Sequence, residues 1–213
     1  MNCTLCQQSV YSFLDAKTDI TYYHCKVCEF IFKSPEYYQD FARQKERYNL
    51  HDNDTSHPGY QAYFQRFIDF IVPHVGKPTL ALDFGCGEST LLADMLNTEG
   101  IPTDYYDPIY YPDTLTDEKQ YALILSTEVF EHLHDPKAVF DSLINRLEKG
   151  GYLALQTAFH SNEIESFKRW YYHQDPTHIV FFRVKSFEVL AAQSGCKVLR
   201  DNGKNMILIQ KPF

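Results

Sequence analysis

Apolar positions recur along this chain in two distinct periods. Short, mostly apolar runs at 80–84, 121–126 and 152–157 read as strands buried on both faces. Between and around them, other apolar residues fall at helical spacing. Tyr60, Tyr63, Phe64, Phe67, Ile68, Ile71 and Val72 form one such face, with Pro73, Gly76 and Pro78 predicted to end the helix. Leu91, Leu92, Met95 and Leu96 form a second, stopped by Asn97 and Gly100. Val139, Phe140, Leu143, Ile144 and Leu147 form a third, opened by Asp135-Pro136 and closed by Gly150-Gly151. Ser186 is placed to cap a fourth through Phe187, Leu190 and Ala191, stopped by Gly195. The chain then closes with two strands, 196–200 and 206–210, across an Asp201-Asn202-Gly203 turn. Alternating strands and helices predict an α/β sheet flanked by helices.

The stretch Asp83-Phe84-Gly85-Cys86-Gly87-Glu88-Ser89-Thr90 joins the first of these strands to its helix. Gly85 and Gly87 let the backbone turn sharply and approach a ligand. Backbone N–H groups at such a turn favour a polar or anionic ligand. A phosphate-binding loop would end Gly-Lys-Ser/Thr, and no lysine is present. A dinucleotide fingerprint wants glycine or alanine where Thr90 stands. Asp83 would also repel a diphosphate; a cationic ligand group suits it better.

Asp83, Gly85 and Gly87 resemble motif I of the class I S-adenosylmethionine-dependent methyltransferases, with Ser89 where the third glycine is usual. A second match follows the strand at 121–126. Thr127-Glu128-Val129-Phe130-Glu131-His132-Leu133-His134-Asp135-Pro136 resembles the branch of that superfamily carrying Glu-His-Leu-x-Asp-Pro. The resemblance implies a Rossmann-like sheet and S-adenosylmethionine as cofactor. It places Asp83, Gly85, Cys86, Gly87, Asp107, Pro108, Thr127 and Glu128 around that cofactor.

Asp107 also has its own argument. The segment 103–108 reads as the second strand and its exit, and Pro108 stops it just after Asp107. A carboxylate there can accept hydrogen bonds from both ribose hydroxyls. Asp104 is the competing candidate, and a solvated loop carboxylate is the plain alternative. Only residues 109–120 remain before the next strand. That is too short for a helix, a strand and another helix of ~10–12 residues each. The third strand of the family is therefore expected to be vestigial or missing, with Tyr110, Tyr111 and Leu115 as substitutes for its adenine contacts.

Glu131 and His132 carry two readings. Glu131 can bond loop amides while His132 packs beside a helix. A histidine beside a carboxylate can equally be held in one tautomer and act as general base. A mixed segment, Phe167-Lys168-Arg169-Trp170-Tyr171-Tyr172-His173-Gln174-Asp175-Pro176-Thr177-His178, follows the strand at 152–157. It resembles the Trp-Tyr…Asp-Pro-Thr-His stretch of bacterial zinc-ribbon methyltransferases, which implies that it covers the acceptor side of the pocket. A loop folded on itself, with His178 bonding backbone, is the alternative. Glu131, His132 and His178 are thus the candidate catalytic residues. By spacing, His173 and His178 lack a convincing metal partner, so no catalytic metal is expected.

At the N-terminus, Cys3-x-x-Cys6 and Cys25-x-x-Cys28 stand 18 residues apart. This is the spacing of a four-cysteine zinc site, closed and structural. Apolar runs at 10–14 and 20–24 predict a hairpin between the pairs, turning through Asp15 to Asp19. Two disulfides or four free thiols are the alternatives. Disulfides are disfavoured because Met1-Asn2-Cys3-Thr4 begins no signal peptide, which also points to the cytoplasm. His24 reads as a strand residue rather than a ligand.

Composition narrows the function. The formal charge is −8 with no lysine–arginine block, which argues against nucleic acid as partner. No apolar run is long enough to suggest a membrane span. The 16 tyrosines and 16 phenylalanines fill a core or line a substrate pocket. The expected organisation is a zinc ribbon over 1–35, a connector, lid and first helix over 36–78, and a methyltransferase core over 79–213. Tyr37, Tyr38, Tyr48, His51 and Asn53 belong to that connector. The expected activity is methyl transfer from S-adenosylmethionine to a small-molecule acceptor. A protein or RNA methyltransferase, and a non-catalytic cofactor-binding scaffold, are the alternatives. The acceptor atom and the oligomeric state stay open at this level.

Overall fold

The computed structural model describes residues 1–38, 58–116 and 118–213. Tyr48, His51 and Asn53 of the connector lie outside the described residues. Two sheets organise the described residues. The larger has six strands in the order β5-β4-β6-β7-β10-β9. These are β4 (Ala81–Phe84), β5 (Thr103–Tyr106), β6 (Tyr121–Thr127), β7 (Leu147–Gln156), β9 (Lys197–Asp201) and β10 (Met206–Gln210). β4, β5, β6 and β7 pair in parallel, and β10 and β9 close the edge antiparallel. This is the expected Rossmann-like arrangement. Among the described residues no strand lies between β5 and β6, as the short connection required.

The strand pleat divides the core. Ala81, Leu123, Leu125, Ala154, Met206 and Leu208 face helices α1 (Pro58–Val75) and α2 (Leu91–Thr98), packing against Phe64, Phe67, Ile68, Leu92 and Leu96. Their sequence neighbours Leu82, Ile124, Leu153, Leu155, Ile207 and Ile209 point the other way. There they meet Phe140 and Leu143 of α3 (Pro136–Arg146) and Phe187 and Leu190 of α5 (Val184–Gln193). Alternate residues of one strand thus serve opposite layers.

α1 is stopped at Gly76, one of the three residues expected to end it, and two other helix ends differ from expectation. Pro73 does not stop α1, which continues to Val75. A proline removes one N–H bond near a helix end; the stop comes at Gly76, whose φ of 64° is left-handed and whose N–H still bonds Val72. Gly150-Gly151 does not close α3. That helix ends at Arg146, and Leu147 already begins β7. The glycines instead sit where the β6–β7 register shifts, and a Cβ on Gly151 would meet the Glu148 carbonyl at 2.9 Å. Ser186 lies inside the first turn of α5. Its Oγ accepts from the Arg183 N–H and donates to the Cys28 carbonyl.

The smaller sheet is the N-terminal ribbon with an addition. β1 (Tyr11–Asp15) and β2 (Ile20–His24) form the expected hairpin. β3 (Ile31–Lys33) extends it, and β8 (Val180–Phe181), from the insertion after β7, pairs with β3. Tyr22, Ile31, Phe167, Tyr172 and Phe181 fill the space between ribbon and insertion. The remainder of the insertion is α4 (Ile164–Arg169) and a 3-10 turn, Tyr171–Gln174.

Candidate active site and metal centre

A cavity of about 1150 Å³ opens at the C-terminal ends of β4, β5 and β6. This is where ligands bind in open parallel sheets. All eight residues expected around a cofactor line it: Asp83, Gly85, Cys86, Gly87, Asp107, Pro108, Thr127 and Glu128. The glycine turn is tied to β5, since the N–H groups of Gly85 and Cys86 both donate to the Tyr106 carbonyl. Gly85 has φ 79°, and a Cβ there would lie 2.4 Å from Cγ2 of Val129. Glycine is thus required twice over, by conformation and by space.

Asp83 is 2% exposed, and its Oδ1 is buried without a hydrogen-bond partner. Burial, then the nearby Asp107 charge, push its carboxyl up to about 7. Asp107 is anchored. Its Oδ2 accepts from Gly87 N–H at 3.0 Å, and its Oδ1 from Ile109 and Tyr110 N–H at 2.8 and 3.1 Å. Asp104, the competitor, instead pairs with Lys119 and accepts from the Tyr121 hydroxyl. Burial pushes the Cys86 thiol up, so it stays protonated, and its Sγ donates to the Gly87 carbonyl. Tyr110 lines the same cavity; Tyr111 donates to the Glu88 carbonyl, and Leu115 packs on the core.

The other end of the cavity is acidic, aromatic and imidazole-bearing. Glu128 holds φ 53°, a left-handed conformation rare for a side-chain-bearing residue, which turns it off the end of β6. The Tyr172 hydroxyl lies 2.5 Å from Glu131 Oε1 and 2.9 Å from Glu128 Oε2. The Tyr63 hydroxyl donates to Glu128 Oε1 at 2.7 Å. A phenol has a single proton, so it cannot donate to both carboxyls. One of the two must carry a proton itself. Burial, reinforced by Glu131, accordingly pushes Glu128 up to about 8, and burial raises Glu131 as well.

His132 and His178 both line this end, with ring centroids 4.7 Å apart and edge to face. His178 faces the cavity, and its Nδ1 bonds the Tyr172 carbonyl at 2.8 Å, the backbone contact expected of a loop folded on itself. His132 Nδ1 bonds the Thr177 carbonyl at 3.0 Å, and its Nε2 lies 3.9 Å from Glu131 Oε1. A carbonyl only accepts, so each Nδ1 carries its proton and each Nε2 its lone pair. Burial, then His132, push His178 down to about 4, leaving it neutral at pH 7. Sequence spacing offered His178 no metal partner, whereas the fold brings it to His132 and Glu131. His173 is elsewhere, buried and bonded to Asp15 at 3.0 Å.

Sequence patterning does not single out Tyr63 or Tyr172 as site residues. Tyr63 reads there as one apolar position of a helix, and Tyr172 as one aromatic among several. Only the fold shows that both hydroxyls reach Glu128.

At the ribbon, the Cys3 and Cys28 sulfurs are 3.5 Å apart and those of Cys6 and Cys25 3.4 Å. All four lie within 4.8 Å of one another, and none forms a disulfide. Four thiolates bound at ~2.3 Å to one tetrahedral ion need nearly this spacing. His24 bonds the Tyr11 hydroxyl and is not part of the set.

A six-stranded mixed sheet, a glycine turn after its first core strand and two carboxylates flanking that turn together define a Rossmann-like methyltransferase fold. A family profile described as "Methyltransferase domain" matches residues 57–201. The chain belongs to that family and is an enzyme of its class. No curated protein matches it in sequence. Among solved structures it is similar to the N-methyltransferase NodS from Bradyrhizobium japonicum WM9 in complex with S-adenosyl-L-homocysteine. That likeness has 13% identity and TM-score 0.54, over 80% of this chain and 98% of the other. It is also similar to the plantazolicin methyltransferase BpumL, in complex with a desmethyl plantazolicin analog and the same cofactor product. There identity is 11% and TM-score 0.53, over 82% and 91% of the chains. An O-methyltransferase family protein from Burkholderia thailandensis gives 11% and 0.52, over 79% and 62%. At these identities the likeness is one of fold.

Proposed function

We propose that this enzyme transfers the methyl group of S-adenosylmethionine to a small-molecule acceptor. The observation that carries the reading is Asp83, a buried carboxylate with an unpartnered oxygen beside a glycine turn. It suits a cationic amino group, and Asp107 across the turn suits a ribose. NodS and BpumL, whose fold this chain shares, are described with S-adenosylhomocysteine bound. When bound, S-adenosylmethionine supplies an electrophilic methyl on a sulfonium sulfur. Ligand cavities commonly span about 300–1,000 Å³, so a cavity of about 1150 Å³ has room for both cofactor and small acceptor.

The chain's own residues hold the two reactants in line. The acceptor's proton has to be taken up at the end away from Asp83. The lone pairs there belong to Nε2 of His132 and of His178, with Glu131 beside them. Zinc held by Cys3, Cys6, Cys25 and Cys28 would fix the ribbon, and the ribbon carries the acceptor segment. Lys33 Nζ donates to the Asp175 carbonyl, Asp15 pairs with His173, and Arg183 pairs with Glu29. The ribbon thus serves as a buttress for Tyr172 and His178.

The test uses methyl-labelled S-adenosylmethionine, the purified enzyme and a cell extract split by class of molecule. Label in the small-molecule fraction, lost in the His132→Ala, His178→Ala double variant while S-adenosylhomocysteine still binds, is the expected result. Label in protein or RNA overturns the acceptor class. Full activity in the double variant overturns the base assignment.

A further inference from the structure

Glu131, His132 and His178 do more than face one another. Their ligand atoms all lie within 4.8 Å. Both imidazoles donate Nδ1–H to a backbone carbonyl, the Thr177 oxygen for His132 and the Tyr172 oxygen for His178. That arrangement fixes the tautomer and presents Nε2 outward, as the outer hydrogen bond of a metal-bound histidine does. Glu131 is fully buried; its Oε1 takes the Tyr172 hydroxyl and its Oε2 has no hydrogen-bond partner. An unpartnered carboxylate oxygen in the interior is costly unless something positive meets it.

We infer that Glu131, His132 and His178 form a binding site for a divalent first-row transition ion, at the acceptor end of the cavity. Two imidazole nitrogens and one carboxylate are a donor set suited to Mn²⁺, Fe²⁺, Co²⁺ or Zn²⁺ rather than to Mg²⁺ or Ca²⁺. Donors about 2.0–2.2 Å from one ion stand roughly 3–4 Å apart, so small side-chain rotations close the site. The same three residues leave coordination positions open toward the cavity, because His132 and His178 line it. The acceptor class this implies carries an oxygen donor, a hydroxyl or a carboxylate, that the ion can hold. The site is separate in kind from the ribbon, whose four thiolates leave no position open.

The inference deepens the methyl-transfer reading, rests on it only for the ligand that fills the open positions, and replaces its imidazole-base step with the ion. Ion and proton compete for the same two lone pairs. An occupied site would therefore act by acidifying a bound hydroxyl, whose proton leaves to solvent, and not by accepting that proton on imidazole.

The deciding experiment titrates zinc-loaded protein with Mn²⁺, following free Mn²⁺ by electron paramagnetic resonance. Mn²⁺ is a hard ion that the four thiolates disfavour. One saturable equivalent is expected, weakened at least about tenfold in His178→Gln and in Glu131→Gln, with zinc content unchanged. If Glu131→Gln does not fold, His178→Gln decides alone. Mn²⁺ left free up to about 1 mM, or bound equally by wild type and His178→Gln, overturns the site. S-adenosylhomocysteine affinity is measured calorimetrically on the same samples. Cofactor product bound without Mn²⁺ sinks the metal site alone, while Mn²⁺ bound without cofactor product keeps the site and sinks the methyl-transfer reading.

Discussion

The Tyr172 hydroxyl stands between Glu131 and Glu128, 2.5 Å from one carboxyl and 2.9 Å from the other. One phenolic proton and two acids make a chain in which a carboxyl must also donate. Tyr172→Phe removes the middle of that chain and leaves the buried Glu131 and the cavity-facing Glu128 without the phenol between them. Losing such a buried charge-assisted bond costs about 1.5–3 kcal/mol. The expected outcome is a lower thermal midpoint together with a reduced kcat and little change in S-adenosylhomocysteine affinity. An unchanged midpoint would show that the two carboxyls do not depend on the phenol.

If Asp83 meets the cofactor's amino group as proposed, cofactor binding should depend on pH. Its carboxyl sits at about 7 because it is buried beside Asp107. The ionised form is the one that meets a cationic amino group. Affinity for S-adenosylhomocysteine should therefore hold above that value and fall about tenfold for each pH unit below it. The sign for stability is opposite. A carboxyl raised on folding binds more protons in the folded state, so the ligand-free protein loses stability as pH rises from the ordinary carboxylate range through about 7. Equilibrium dialysis and denaturant unfolding across pH 5–9, with Asp83→Asn as control, check both slopes.

Gly85 and Gly87 separate two costs of a side chain. Both have positive φ, at 79° and 66°, but a Cβ at Gly85 would strike Val129 while one at Gly87 meets nothing within 4 Å. Gly87→Ala should cost only the backbone strain, about 1–3 kcal/mol. Gly85→Ala should cost more and displace Val129 from the cavity wall. Urea unfolding of the two variants, with equal losses as the contrary result, settles the comparison.

How much of this was legible in the sequence follows from how local each signal is. The order of strands and helices, the cysteine pairs and the acid at the end of β5 depend on spacing within a few residues. Those signals survive the loss of the third strand because each belongs to one element. The helix end expected at Gly150-Gly151 misled because a glycine marks a break without saying which kind; there the break was a strand irregularity. Non-local pairings gave no signal. β8 is two residues long and finds β3 across most of the chain. The Tyr172, His178 and Glu131 cluster joins that insertion to the turn after β6, where Ile179 N–H also donates to the Glu131 carbonyl.

The ribbon's ties predict a coupling between its cysteines and the acceptor end. Ser186 donates to the Cys28 carbonyl, and Lys33 and Asp15 hold residues 173–175. Cys28→Ser should release zinc and lower the thermal midpoint by more than ~5 °C, at about 2–4 °C per kcal/mol for a chain of this size. Metal analysis with a melting curve reads both. Zinc lost with no change in melting would mean that the ribbon does not support the core.

S-adenosylmethionine is proposed to bind in the cavity that Asp83 and Asp107 line. The most direct test is a calorimetric titration of the wild-type protein and Asp83→Asn with S-adenosylhomocysteine, at pH 8, with a nicotinamide dinucleotide as competitor. One equivalent bound by the wild type, at least about tenfold weaker binding by the variant, and no displacement by the dinucleotide are expected. Binding of the dinucleotide in place of S-adenosylhomocysteine, or equal affinity in the two proteins, would rule out this cofactor site.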